Sequence, residues 1–155
     1  RRQQRHEGRR PGLVRQGWLG PGLHETLDTL DYLSEAGFEY VCDWPMDEHP
    51  FEMKTSSGSI TAMPYSFELS DLPMMVVHAY ESESWLKRTM DQFDRMYEES
   101  ETSPRIMSMG VHPYIMGVPH RIKYFEAAFD HILKQKEVWF ATADEIYDWY
   151  KEESA

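Results

Sequence analysis

What this sequence lacks narrows its reading first. Cys42 is the one cysteine among 155 residues, so no disulfide can form within the chain, which fits a reducing, cytoplasmic compartment. No stretch approaches the roughly 18 apolar residues of a membrane span. The arginine-rich start has no apolar core of a secretory signal. Neither H-x-x-x-H nor H-E-x-x-H occurs, so a self-contained zinc site has no support. A serine nucleophile elbow, a phosphate-cradling glycine loop, an internal repeat and a low-complexity segment are all missing as well. Positive charge is scarce after the first sixteen residues. Residues 1–16 set six arginines against Glu7, a charge of +5, and the remainder sets 10 Lys and Arg against 26 Asp and Glu, a charge of −16. An acidic body excludes a broad nucleic-acid or anionic-membrane surface. The arm of residues 1–16 reads as a disordered, solvated tail or the product of a truncated start, ahead of a nucleic-acid contact.

What is present suits one globular domain with a real core, at 41% hydrophobic and 14% aromatic residues. From Gly17 onward, helical and extended patterns alternate. Leu23, Leu27, Leu30 and Leu33 recur at near-helical spacing, and Gly37 is a natural stop. Residues 38–43 read as a strand that ends on Asp43, with residues 45–58 a loop and residues 60–65 a second short strand. The apolar run 74–79 is strand or the floor of a loop. A helix over 84–99 presents Leu86, Met90, Phe93 and Tyr97. Residues 106–112 form a buried-strand pattern that ends on His112. A helix over 119–135 carries Pro119 in its first turn and a stripe of Ile122, Phe125, Phe129 and Leu133. Residues 138–141 are a last strand, and Thr142 to Glu145 is a capping box that opens a final helix with Ile146, Trp149 and Tyr150 inward. Alternation of this kind argues for a parallel sheet or a barrel. Three or four such units cannot close an eight-stranded barrel of typically ~250 residues, so the chain reads as part of something larger.

Three clusters carry residues capable of chemistry. In Gly17-Trp18-Leu19-Gly20-Pro21-Gly22, glycines permit unusual backbone and Trp18 offers a flat apolar face. On its own this run is a loop-to-helix turn with a packed Trp. In Asp43-Trp44-Pro45-Met46-Asp47-Glu48-His49, the last three read as a solvated acidic loop. Asp43 reads as functional, because its neighbours are apolar and idle burial of an acid is costly. In Val111-His112-Pro113-Tyr114, a histidine at the mouth of a strand is either a general acid near neutral pH or a hydrogen-bonded structural residue. His24, His78 and His131 have no ligand-type partner at helical spacing and read as packing or surface residues. Cys42, in an apolar strand, reads as packing.

Taken in order, these segments resemble the polysaccharide deacetylase (NodB-homology) superfamily, with its intracellular, allantoinase-like branch nearest. The resemblance runs from Gly17 to Tyr150, through the three clusters, Gly37 to Asp43, Met63-Pro64-Tyr65-Ser66-Phe67-Glu68-Leu69, and Gly117-Val118-Pro119-His120-Arg121. It implies an α/β fold, the C-terminal half of a distorted (β/α) barrel spanning residues 17–155. It also implies hydrolysis of carbon–nitrogen bonds other than peptide bonds. The substrate expected is a small-molecule amide or N-acetyl sugar, with no nucleic-acid or membrane partner. In such enzymes an Asp pair and a His-xxx-His segment supply the base and the divalent, zinc-like metal site. Neither motif is in this chain, so no metal ligand is assigned. The family's third motif carries an arginine where Leu19 stands, and Arg15 is a substitute by guess alone; the change favours the allantoinase-like branch. By the resemblance His112 protonates the leaving nitrogen and Asp43 is the second catalytic candidate. Trp18, Pro21, Trp44, Pro113 and Tyr114 line the substrate. A missing N-terminal half or a homo-oligomer would complete the site, and the isolated chain is expected to be weak or inactive. The competing expectation is an inactive carbohydrate- or amide-binding fragment.

Overall fold

A computed structural model describes residues 16–154. Its centre is a four-stranded sheet of β1 (Gly17–Trp18), β2 (Tyr40–Val41), β3 (Phe51–Thr55) and β4 (Gly58–Ala62), in the order β1-β2-β4-β3. β1 runs parallel to β2 and β2 parallel to β4, while β3 is antiparallel to β4 and closes the edge as a hairpin. Helix α1 (Thr29–Glu35) packs on β3 and β4, α4 (Ala143–Glu153) meets the sheet at Tyr40, and α2 (Ser82–Glu99) and α3 (Ile122–Ile132) pack on each other. This is an α/β fold with a mixed sheet, the expected class and consistent with part of a barrel.

Each layer has its own apolar cluster. Leu33 of α1 packs on Val41 and Ile60, with Trp18, Leu30 and Phe38 around them. Tyr40 and Met63 pack on Tyr147 of α4. The largest cluster lies away from the sheet, where Met74, Met75, Trp85, Ile115, Met116 and Ala128 join α2 and α3 to the intervening loops. Trp85 is fully buried and its indole N–H donates to the Leu69 carbonyl at 2.9 Å. Burying an indole without that partner would be costly, so the bond fixes the segment around residue 69 as well as the helix.

Several sequence expectations hold. Gly37 follows the helix in the left-handed region at φ +83°, as a residue without a Cβ can at little cost. Thr142 and Glu145 form the reciprocal capping box at the start of α4. The helix expected over 84–99 is α2.

Other expectations are corrected. The loop expected over 45–58 contains β3, in which Phe51, Met53 and Thr55 are half-buried and Glu52 and Lys54 exposed. That alternation, followed by a two-residue turn at Ser56 and Ser57, is a hairpin signal. The run 74–79 is neither strand nor loop floor but mostly a single π-helical turn, Leu72–Val77. The first helix begins at Thr29 rather than near Leu23, because Gly22 and Leu23 are held at φ +65° and +58°. Leu27 is consequently fully exposed.

The strands expected over 106–112 and 138–141 do not form among the described residues. An apolar run becomes a strand only where a neighbour supplies the hydrogen-bond ladder. Residues 106–112 instead thread between loops on isolated bonds: Ile106 N–H to Glu48 O at 3.0 Å, and Asp71 N–H to Gly110 O at 2.8 Å. Trp139 and Phe140 are exposed.

Helix faces are also rotated from those expected. α2 buries Trp85, Thr89, Phe93 and Met96 and leaves Tyr97 exposed, while α3 buries Ala128 and Ile132 and leaves Leu133 exposed. The last helix buries Tyr147 between the expected Ile146 and Trp149. Pro119 lies in the turn before α3 rather than in its first turn. The basic arm falls outside the described residues, except Gln16, whose carbonyl accepts from Glu39 and Tyr40 N–H at 2.8 and 3.0 Å.

Candidate active site

Because β1, β2 and β4 are parallel, the residues that follow them emerge at one edge of the sheet. That edge is where open α/β folds present polar groups to ligands. Gly20 follows β1, Asp43 and Trp44 follow β2, and Pro64 and Tyr65 follow β4. The ladder extends past the strands by Cys42 N–H to Trp18 O at 2.9 Å and Met63 N–H to Val41 O at 2.8 Å.

Asp43 is buried, and its Oδ1 accepts the Gly20 N–H at 2.7 Å. A Cβ at Gly20 would lie 2.6 Å from Asp43 Oδ2 and 3.3 Å from Trp18 Nε1, so glycine is what lets the two loops close. Beside Asp43 is a cavity of about 600 Å³ lined by Leu23, Leu27 and Leu30 together with Glu25, Asp43 and Trp44. The Trp44 indole N–H donates to Glu25 Oε2 at 2.8 Å. Glu25, absent from the sequence expectations, is held above the ordinary carboxylate range, chiefly by burial and further by the charge of Asp43.

The second cluster is built on His112. Asp71 is fully buried and grips it twice, its Oδ1 accepting from the ring Nδ1–H at 2.6 Å and its Oδ2 from the His112 backbone N–H at 2.7 Å. The ring is partly exposed, so its Nε2 side faces outward. Asp71 therefore fixes tautomer and orientation and offers a counter-charge to an imidazolium, the role an orienting carboxylate plays in acid–base pairs. Asp71 is absent from the sequence expectations, although Ser70-Asp71-Leu72-Pro73-Met74-Met75 sets an acid before an apolar run, as costly to bury idly as Asp43.

Tyr65 joins the two clusters. Its hydroxyl oxygen would lie 2.9 Å from a Cβ placed on Gly110, two residues before His112. Burial, then the charges of Cys42, Asp71 and Asp43, push the phenol upward, so it keeps its proton and remains a donor. Burial likewise pushes the Cys42 thiol up to about 11, with Asp43 and Asp144 adding to it, which leaves an inert packing residue.

Of the residues expected at the site, Asp43 and Trp44 share the cavity wall, and Tyr114 stacks edge-on against His112 at 5.3 Å. Pro113 and Tyr114 are exposed beside the imidazole. Trp18 turns its ring onto Phe38, edge-to-face at 5.6 Å, and packs with the core rather than the cavity. Pro21 is exposed in a short turn. His49 is tied into a structural cluster, its Nε2 accepting from Ser103 at 2.9 Å and contacting Arg105, which pairs with Glu99. Among the described residues no group of three or more His, Cys, Asp or Glu side chains is arranged to hold a metal ion. The residues present therefore do not fit the divalent metal that the resemblance implies.

No family model matches the chain. A Schizosaccharomyces pombe protein named as a candidate polysaccharide deacetylase is 28% identical over 136 residues, covering 86% of this chain and 41% of that protein. The structure of a candidate polysaccharide deacetylase from Pseudomonas aeruginosa PAO1 superposes with a TM-score of 0.69 at 28% identity, over 78% of this chain and 42% of that one. Two structures share the fold at lower identity. PuuE allantoinase has a TM-score of 0.69 at 24% identity, over 74% of this chain and 39% of its own. A candidate polysaccharide deacetylase from Mycobacterium smegmatis has 0.74 at 19%, over 89% and 50%. The chain thus spans about two fifths of the length of the curated relative it matches.

Proposed function

With its curated and structural neighbours pointing to the polysaccharide deacetylase family, we propose that the chain is the acid-bearing part of a hydrolase of carbon–nitrogen bonds other than peptide bonds. The observation that carries this reading is the His112–Asp71 pair, a fully buried carboxylate on Nδ1 of a partly exposed imidazole. In the proposed reaction, water adds to an amide or N-acetyl carbonyl, and the C–N bond of the resulting adduct then breaks. His112, protonated from solvent, passes its Nε2 proton to the departing nitrogen and returns to neutral imidazole. Asp71 holds the ring to that task. Asp43 and Trp44 shape the pocket. The group that activates water lies outside the residues described, so the isolated chain is expected to turn over weakly or not at all.

The test is a panel of allantoin and N-acetylated sugars, offered to the 155-residue chain and to a protein extended to the full length of the relatives, with and without added zinc. Ring opening of allantoin, or acetate release from an N-acetylated sugar, by the extended protein supports the reading and identifies the branch. Binding without release in both forms would move the account to a substrate-binding fragment. Turnover by the bare chain would overturn the division of labour.

A further inference from the structure

Two buried carboxyl oxygens in the cavity wall have no donor among the described residues: Oδ2 of Asp43 and Oε1 of Glu25. The other oxygen of each is satisfied, by the Gly20 N–H at 2.7 Å and the Trp44 indole N–H at 2.8 Å. A buried acceptor left unpaired is costly, and two ionised carboxyls side by side more so. One proton between them removes both costs, because a carboxyl that keeps its proton becomes a donor.

We propose that Glu25 is a positioning residue of the pocket: in its protonated form it donates from Oε1 to Asp43 Oδ2 while its Oε2 accepts from Trp44. One side chain then locks the strand-end acid and the indole at the rim in a single arrangement. Burial of Glu25 and its hydrogen-bond contact with Asp43 both favour the protonated form, against the Trp44 bond, which favours the charged one. The groups facing Glu25 leave Asp43 as its titratable partner. On its own turn, the His24 ring is directed to the Pro21 carbonyl at 3.2 Å. α1 faces the cavity with Leu30, its acid Asp31 accepting from Ser56 N–H at 2.6 Å.

The arrangement makes the pocket sensitive to pH. A carboxyl whose folded-state value is raised contributes stability that is complete at low pH and lost as pH rises through that value. Deprotonation would set the Glu25 carboxylate against Asp43 and place a full charge beside the Trp44 indole. Calling the cavity a substrate pocket rests on the hydrolase reading; the shared proton does not.

The experiment uses the intact chain, Glu25→Gln, which keeps a donor toward Asp43 and an acceptor toward Trp44, and Glu25→Ala, which keeps neither. Infrared difference spectra taken across a pH titration should show, in the wild type, the carbonyl band of a protonated carboxylic acid that persists to higher pH than the bands of the exposed carboxyls and is lost in E25Q. Trp44 emission, isolated by subtracting Trp44→Phe, should shift with rising pH in the wild type as that band disappears, stay at the low-pH value in E25Q, and show no shift over the same range in E25A. If E25A does not fold, the wild-type and E25Q curves still decide. No such persisting acid band in the wild type, or an E25Q emission curve that follows the wild-type curve, would overturn the proposal. Neither readout needs turnover, so a protein that hydrolyses nothing on the panel would sink the hydrolase reading and leave this one standing.

Discussion

Asp71→Asn is the perturbation that examines the His112 site most closely. The wild-type carboxylate accepts from both the backbone N–H and the ring Nδ1–H of His112, at 2.7 and 2.6 Å, with no exposure to solvent. Asparagine keeps the shape but offers one acceptor. If its oxygen stays on the backbone N–H, its NH₂ faces the ring, and Nδ1 must become an acceptor with the proton moved to Nε2. Both charge-assisted bonds are then exchanged for neutral ones, a combined loss of about 1.5–3 kcal/mol. At about 2–4 °C per kcal/mol for a chain of this size, the melting temperature should fall by about 3–12 °C. Nitrogen-15 NMR of the histidine ring should report the changed tautomer. In the extended protein, the wrong tautomer should lower turnover by about 10³–10⁴-fold, the scale for an Asp–His pair whose carboxylate is replaced by an amide. A double-mutant cycle with His112→Ala should return a coupling of about 1.5–3 kcal/mol. An Asp71→Asn protein that melts with the wild type and keeps its proton on Nδ1 would refute the argument that Asp71 orients the ring.

Three further outcomes follow from the packing. Trp85→Phe leaves the Leu69 carbonyl without its indole donor. It should cost about 1–3 kcal/mol and raise hydrogen exchange in the segment leading to Asp71 before it does so elsewhere. Gly17→Ala would place a Cβ 2.0 Å from the Tyr40 ring, whose hydroxyl donates to Asp144 at 2.6 Å. The ring must swing away, so α4 should lose protection from exchange while α2 and α3 keep theirs; unchanged α4 protection would count against it. For pH, Cys42 has a folded value raised from 9.0 to about 11. Its contribution to stability is therefore complete below about 9 and lost as pH rises toward 11. Cys42→Ala should flatten part of that alkaline decline in melting temperature, the rest belonging to Tyr40, Tyr65 and Tyr147, which are also raised by burial. A decline identical in both proteins would show that Cys42 takes no part.

Much of the fold was legible because local signals agreed with their surroundings. Thr142 and Glu145 cap α4 as their spacing says, Gly37 adopts the left-handed turn, and Asp43 at the end of β2 is buried and bonded as an acid among apolar neighbours should be. The failures have physical causes. Residues 106–112 have strand-like composition, but ladder partners come from elsewhere in the fold and composition cannot report them. Of the stripe expected on α2 at Leu86, Met90, Phe93 and Tyr97, Phe93 is buried and Leu86 packs against the core, while Tyr97 is exposed and Trp85, Thr89 and Met96 face inward, because apolar residues occur on both sides of that helix. At the site, Asp43 and His112 were found one at a time from their strand-end positions. Their partners Glu25 and Asp71 lie 18 and 41 residues away from them in the chain. Such pairings are set by how turns bring segments together, as the Gly22 and Leu23 backbone does for Glu25.

The measurement that bears most directly on the central claim is the turnover of His112→Ala in the protein extended to the length of its relatives, on whichever amide or N-acetyl substrate the panel identifies. If His112 supplies the proton to the leaving nitrogen, turnover should fall by about 10²–10⁴-fold with KM little changed. A substrate with a better leaving nitrogen should recover much of the loss. Turnover at the wild-type rate in His112→Ala would contradict the account, and the His112–Asp71 pair would then be a structural hydrogen bond.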